Sequence, residues 1–178
     1  MRGRAGFIKG DGIRIIDRVA RYAVAAILIL PAVRSSVSTR KFESPDKQTV
    51  VIVSDANNGK SIPGSRIEFR NAAGRILLAK SYVSRDAEHD FGIQTGRWTG
   101  DSQFFVFSMH GSGGHQPWHI PTFVYSRGQN RITSLDDKFG PVTGAFKLLP
   151  SDSLETFVIS NGETLGKMIV ISLTHECH

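Results

Sequence analysis

Three short apolar runs, each closed by a serine, recur at nearly even intervals: VIVS at 51–54, FVFS at 105–108 and FVIS at 157–160. Their serines, Ser54, Ser108 and Ser160, stand 54 and 52 residues apart. Between them, IEFR-NAAG-RILLAK (67–80) and FVYS-RGQN-RITSLD (123–136) each read as strand, four-residue turn and strand. These two segments are offset by 56 positions, with Arg75 and Arg131 in the same place after the turn. MIVISL (168–173) supplies a partner for the third run. β-Branched and aromatic side chains fit a pleated ladder better than a helix, and no stretch sustains a 3.6-residue period. A repeat of about 50 residues with several strands per unit signals stacked or radially arranged sheets. The expected fold is all-β, with residues 48–174 holding about three antiparallel units.

One unit is more specific. WTGDSQFFVFS (98–108) followed by PTFVYSRGQNRITSLDD (121–137) resembles a blade of the TolB-type or WD40-like β-propeller. In such blades a Trp-Ser-Pro-Asp-Gly turn enters an apolar inner strand and a hairpin follows. Trp98, Asp101 and the run Phe104 to Ser108 match that pattern, while Thr99, Gly100 and Ser102 depart from it. LPSDSLETFVIS (149–160) is a weaker echo. The resemblance implies blade-like sheets in a partial propeller-like repeat, with binding carried by loops. Closed propellers take about four to eight blades, more than this body supplies. A ring fragment, a ring completed by a partner chain and a β-sandwich of similar hairpins all remain open. Open sheet edges would favour an oligomer.

The body is preceded by a segment of different composition. YAVAAILILPAV, Tyr22 to Val33, is uncharged and lies between Arg21 and Arg34. As a helix it would span about 18 Å, short of the roughly 30 Å of a bilayer core. It suits the apolar region of a secretory signal peptide, with Arg14, Arg18 and Arg21 as the positive flank and RSSVS (34–38) as the cleavage region. An uncleaved signal-anchor is the alternative. The basic flank is long, and initiation at Val19 from a GTG codon would give a leader of ordinary length. The expected organisation is a leader over 1–38, a polar linker over 39–47, the β-domain over 48–174 and a tail over 175–178. The protein is thus expected to be exported, periplasmic or extracellular, with the N-terminal segment as its one membrane attachment if uncleaved.

The formal charge of +6 resides largely in that leader, which holds seven Lys/Arg and two Asp. Fifteen basic and fourteen acidic residues remain for 39–178, close to neutral. Such a body lacks the electrostatic footprint of a nucleic-acid-binding surface. Cys177 is the single cysteine, so no intrachain disulfide can form.

Candidate chemistry concentrates in HGSGGHQPWH, 110–119. His110, His115 and His119 could hold zinc, leaving a fourth position for water. Their spacing is not the helical H-E-x-x-H arrangement, and the loop contains no carboxylate to act as base. The glycines lack the lysine of a phosphate-binding loop, and His110 stands where a Ser112 nucleophile motif requires glycine. Trp118 has two possible roles: a stacking anchor for a sugar, a peptide or a partner's proline, or a cap over the core. Isolated aromatics usually pack, which favours the cap. Asp136-Asp137 and DANNGK (55–60) read better as turns than as calcium loops. His89-Asp90 lacks a third catalytic member, and HECH (175–178) lies where chains fray.

Two functions follow. The favoured one is an exported, non-catalytic binding module, with no cofactor, that meets a protein, glycan or envelope component through Trp118, His115 and His119. The other is a small metal-dependent or hydrolytic enzyme built on His110, His115 and His119, with Asp136 or Asp137.

Overall fold

Phe104, Phe105, Val106, Phe107, Ser108 and Met109 are all buried. A strand buries consecutive residues only when a layer covers each of its faces, because successive side chains point to opposite sides. The fold is built around that requirement. A computed structural model describes residues 37–56, 64–83, 90–111, 118–159 and 166–176, all within the unit Arg34–His178.

Three antiparallel sheets follow one another along the chain. The first contains β1 (Ser38–Glu43), β2 (Thr49–Ala56), β3 (Gly64–Asn71) and β4 (Ile76–Ser81), hydrogen-bonded in sequence order. The second repeats this meander with β5 (Phe91–Trp98), β6 (Phe104–Gly111), β7 (Thr122–Ser126) and β8 (Arg131–Ser134). One helical turn, α1 (Asp136–Phe139), leads towards the third sheet, β9 (Lys147–Leu149), β10 (Ser153–Val158) and β11 (Lys167–Ser172), in the order β11-β10-β9. A second short helix, α2 (Leu173–Glu176), follows β11.

The middle sheet contributes to two cores. Phe105, Phe107, Met109, Tyr125 and Ile93 pack against Val51, Val53, Ile67 and Phe69 of the first sheet. There Phe69 stacks on Tyr125, with ring centroids 3.7 Å apart. On the opposite side Phe104, Val106 and Val124 join Leu154, Val158 and Ile171 of the third sheet, with Leu135, Val142 and Leu173. A polar lock accompanies the first core. Arg40 of β1 donates to both carboxylate oxygens of Asp55 and to the Ile93 carbonyl at 2.5 Å, where β5 bulges between Ile93 and Thr95. The Ser65 hydroxyl donates to Asp55 and accepts the Ile93 N–H at 2.9 Å. The bulge thus leaves neither backbone group unsatisfied.

The turn entering each second strand fixes the repeat. Ser44 and Thr99 donate their hydroxyls to Asp46 (2.7 Å) and Asp101 (2.6 Å), and accept the N–H of Thr49 and Phe104, both at 3.0 Å. The same carboxylates accept Gln48 and Gln103 N–H at 3.0 Å. Lys47 and Ser102 adopt positive φ, 58° and 65°. Equivalent residues therefore lie 55 apart, one more than the serines suggest. A one-residue slip exchanges the two faces of a strand. At 55, Val51 matches Val106 and both face the following sheet; serine alignment pairs Val51 with Phe105, which faces the preceding one. Ser54 thus corresponds to Met109 and not to Ser108, and Ser160 lies outside the described residues. The hairpin offset of 56 holds: Gly74 donates to the Asn71 carbonyl and Asn130 to that of Arg127, both donors at positive φ.

Two boundaries also move. Residues 39–47 are not a linker, because β1 pairs with β2 from Ser38↔Asp55 to Glu43↔Val50 and the turn follows. His175 and Glu176 belong to α2. Of the leader, residues 1–36, with Tyr22 to Val33, lie outside the described residues, and Ser38 already belongs to β1; among the described residues no helix is long and apolar enough to cross a membrane.

Gly96 is a packing necessity. A Cβ there would lie 2.4 Å from Phe105 Cζ. Gly96→Ala is expected to cost about 1–3 kcal/mol in urea unfolding, and Phe105→Leu added to it should recover part of that loss. At the turn end the carboxyl groups of Asp101 and Asp152 are close enough to influence one another. Burial and the Asp101 carboxylate raise the Asp152 pKa, whereas Asp101, despite its own desolvation, is held low by Thr99, Gln103 and Asp152. A carboxyl whose folded pKa is raised loses stability as pH climbs through the interval above its ordinary value, so the whole penalty is present at neutral pH. Asp152→Asn also tolerates the φ of 53° found there. It should raise Tm by about 1–3 °C at pH 7 and leave it unchanged at pH 3.

Candidate binding loop

The hairpin β7–β8 returns the chain to where it began, so residues just before β7 meet residues just after β8. His119 Nε2 donates to Asp136 Oδ1 at 2.8 Å across that closure. The same oxygen accepts the Val142 N–H at 2.8 Å, and Oδ2 accepts the Thr122 N–H at 3.1 Å. One carboxylate thus ties together the stem of the β6–β7 loop, the start of α1 and the connection towards β9. Main-chain bonds reinforce the clamp: Ile120 N–H to the Val142 carbonyl (2.8 Å), Leu135 N–H to that of Thr122 (2.9 Å) and Met109 N–H to that of Pro121 (2.9 Å). Leu135 and Val142 are fully buried in the second core, which anchors the clamp from below.

Trp118 stands directly on this stem. It is 42% exposed and joins neither core, so the expectation that its ring caps the core is not met. Its ring centroid lies 6.1 Å from that of His119, its one aromatic contact among the described residues. An exposed indole beside a bonded imidazole, the two rings tilted by 48°, gives an amphipathic surface with a fixed base.

The three histidines fare differently. His110 is exposed near the end of β6, opposite Gly92. His115 lies outside the described residues. His119 spends Nε2 on Asp136, which leaves Nδ1 for other contacts. Among the described residues no group of three His, Cys, Asp or Glu side chains is placed to hold a metal ion. A carboxylate orienting an imidazole is also the front half of a hydrolytic relay. Among the described residues, however, no hydroxyl or thiol hydrogen-bonds to His119. Asp137 is exposed and takes no part in the clamp; its N–H donates to the Ser134 hydroxyl at 3.3 Å.

No family model and no curated protein matches the chain. Among solved structures it is similar to a conserved protein assigned as a lipoprotein from Clostridium novyi NT, with TM-score 0.48 and 11% identity over 78% of this chain and 89% of that one. It is also similar to TolB from Acinetobacter baumannii, with TM-score 0.41 and 16% identity over 78% of this chain and 30% of that one. Similarity at those values assigns neither an activity nor a site, and the all-β fold rests on the strands described above.

The clamp predicts a measurable loss. Asp136→Ala would leave the Thr122 and Val142 N–H groups without their acceptor, at a cost of about 2–4 kcal/mol in chemical unfolding. Both amides should then exchange hydrogen faster. Asp136→Asn keeps one acceptor oxygen and should lose about half as much.

Proposed function

We propose that this chain is an exported, non-catalytic β-domain that binds a protein or glycan of the cell envelope through the loop carrying Trp118 and His119. The observation that carries the reading is an exposed tryptophan mounted on a stem immobilised by Asp136. Aromatic side chains supply large contact areas at low conformational cost, and fixing the stem before binding reduces the entropy lost on association. Tryptophan on a rigid base is the common form of a binding hot spot. The apolar run Tyr22 to Val33 and its basic flank support export. The near-neutral body suits an uncharged sugar or polypeptide ligand better than a polyanion.

Envelope extract and a glycan array presented to the wild-type chain and to Trp118→Ala provide the test. A partner retained by the wild type should bind the variant at least about tenfold more weakly, the loss expected of a hot-spot aromatic. Equal retention by both chains overturns the reading. So does stoichiometric zinc in the purified protein that His115→Ala abolishes, because the loop would then be a metal site.

A further inference from the structure

The two covered sheets define what the third one lacks. On the side facing the following sheet, Thr49, Val51 and Val53 of β2 are at most 1% exposed, and Phe104, Val106 and Ser108 of β6 at most 3%. In β10 the residues Leu154, Thr156 and Val158 face the middle sheet and are buried. Its other face carries Glu155 and Phe157, opposite Val170 and Met168 of β11. Phe157, Met168 and Val170 are 47%, 57% and 60% exposed, and together they form an apolar patch across two strands. The side that is covered in the first two sheets is thus open and still apolar in the third.

The free face of the first sheet does not match this patch. There Glu68 of β3 is held between Arg66 at 3.0 Å and Arg70 at 2.6 Å, with Lys41 and Glu43 exposed on β1, beyond β2. Packing that ion-paired triad under apolar side chains would strip it of water without returning a partner. The third-sheet face carries apolar side chains and one cross-strand pair of opposite charge, Lys147 opposite Glu155. A face with both signs on neighbouring strands can answer its own charges across a two-fold axis, as an isologous interface requires.

We propose that the outer face of the third sheet, centred on Phe157, Met168 and Val170, is a homodimer interface that packs against the same face of a second copy. This surface is separate from the Trp118 loop and does not depend on the function proposed for it. Sheet-on-sheet packing about a two-fold gives each apolar side chain the cover its counterparts have inside the chain.

Sedimentation velocity on the full chain tests the interface. The wild type should form a concentration-dependent dimer, and Met168→Glu with Val170→Glu should raise its dissociation constant by about tenfold or more. Circular dichroism of that variant should stay that of the wild type, because both positions face solvent in the single chain, and its Tm should lose only the concentration-dependent part that the dimer contributes. Trp118→Ala should dimerise normally. Phe157→Cys in a Cys177→Ser background provides a second measurement. Face-to-face packing, with sheets about 10 Å apart, predicts that a bifunctional thiol crosslinker of about that span joins two copies of that variant. A crosslink at Met168→Cys without one at Phe157→Cys would mean edge pairing of β11, and would overturn the proposal. Crosslinks formed only between Ile52→Cys and Phe157→Cys chains would mean head-to-tail stacking, and would also overturn it. A wild type that stays monomeric, or an association that survives the double glutamate variant, overturns it as well.

Discussion

Everything else in the architecture depends on β6 being dry on both sides. A half-buried strand needs one apolar face and can leave the other to water. Phe105, Phe107 and Met109 are committed to the first sheet, whereas Phe104 and Val106 are committed to the third. Burial of a phenylalanine is worth about 1.5–3 kcal/mol, so losing either neighbouring sheet would expose several such side chains together. The middle sheet is therefore stable only as the filling between two others. That dependence explains why Gly96, behind Phe105, has no room for even one added carbon.

Six strands of the two larger sheets, β2 to β4 and β6 to β8, were legible because their side-chain chemistry and their turns agree. Gly74 and Asn130 reach positive φ with little strain, and each closes a hairpin where the four-residue gap placed it. Register was harder to read. Valine, isoleucine and phenylalanine occupy both faces of buried strands, so matching VIVS to FVFS by letters gives no face information and lands one residue out. The polar turns held the missing signal: Ser44-x-Asp46 and Thr99-x-Asp101 make the same bonds and set the offset at 55. β1 was hidden for another reason. Its residues over 38–43, STRKFE, are polar or charged except Phe42, as suits an edge strand exposed to water, and in composition they resemble a linker.

The candidate loop was half legible. Trp118 and His119 stand out by residue type, but the grip of Asp136 on His119 spans 17 positions and follows only from closing the β7–β8 hairpin between them. Once Thr122 and Ser134 are recognised as its two ends, the meeting of 119 and 136 is a consequence of topology. The aspartate is an acceptor for two backbone N–H groups as well as for the imidazole, so its first role is to hold the stem.

The two ends of the sheets divide the work. At one end the turns over 44–48, 99–103 and 127–130 are short and bonded to one another. Ser102 accepts the Asp46 N–H at 3.0 Å, the Arg127 N–H donates to the Gln103 carbonyl at 2.9 Å, and the Arg127 guanidinium pairs with Asp46. That hydrogen-bonded ion pair, with Ser44 and Gln48, holds the Asp46 carboxyl well below the usual carboxylate range. At the other end the longer connections over 57–63, 112–121 and 159–166 leave β2, β6 and β10 together. A framework stapled at its turn end can carry long connections at the opposite end without losing register. Trp118 sits at that second end, next to His119, whose imidazole the clamp at Asp136 holds.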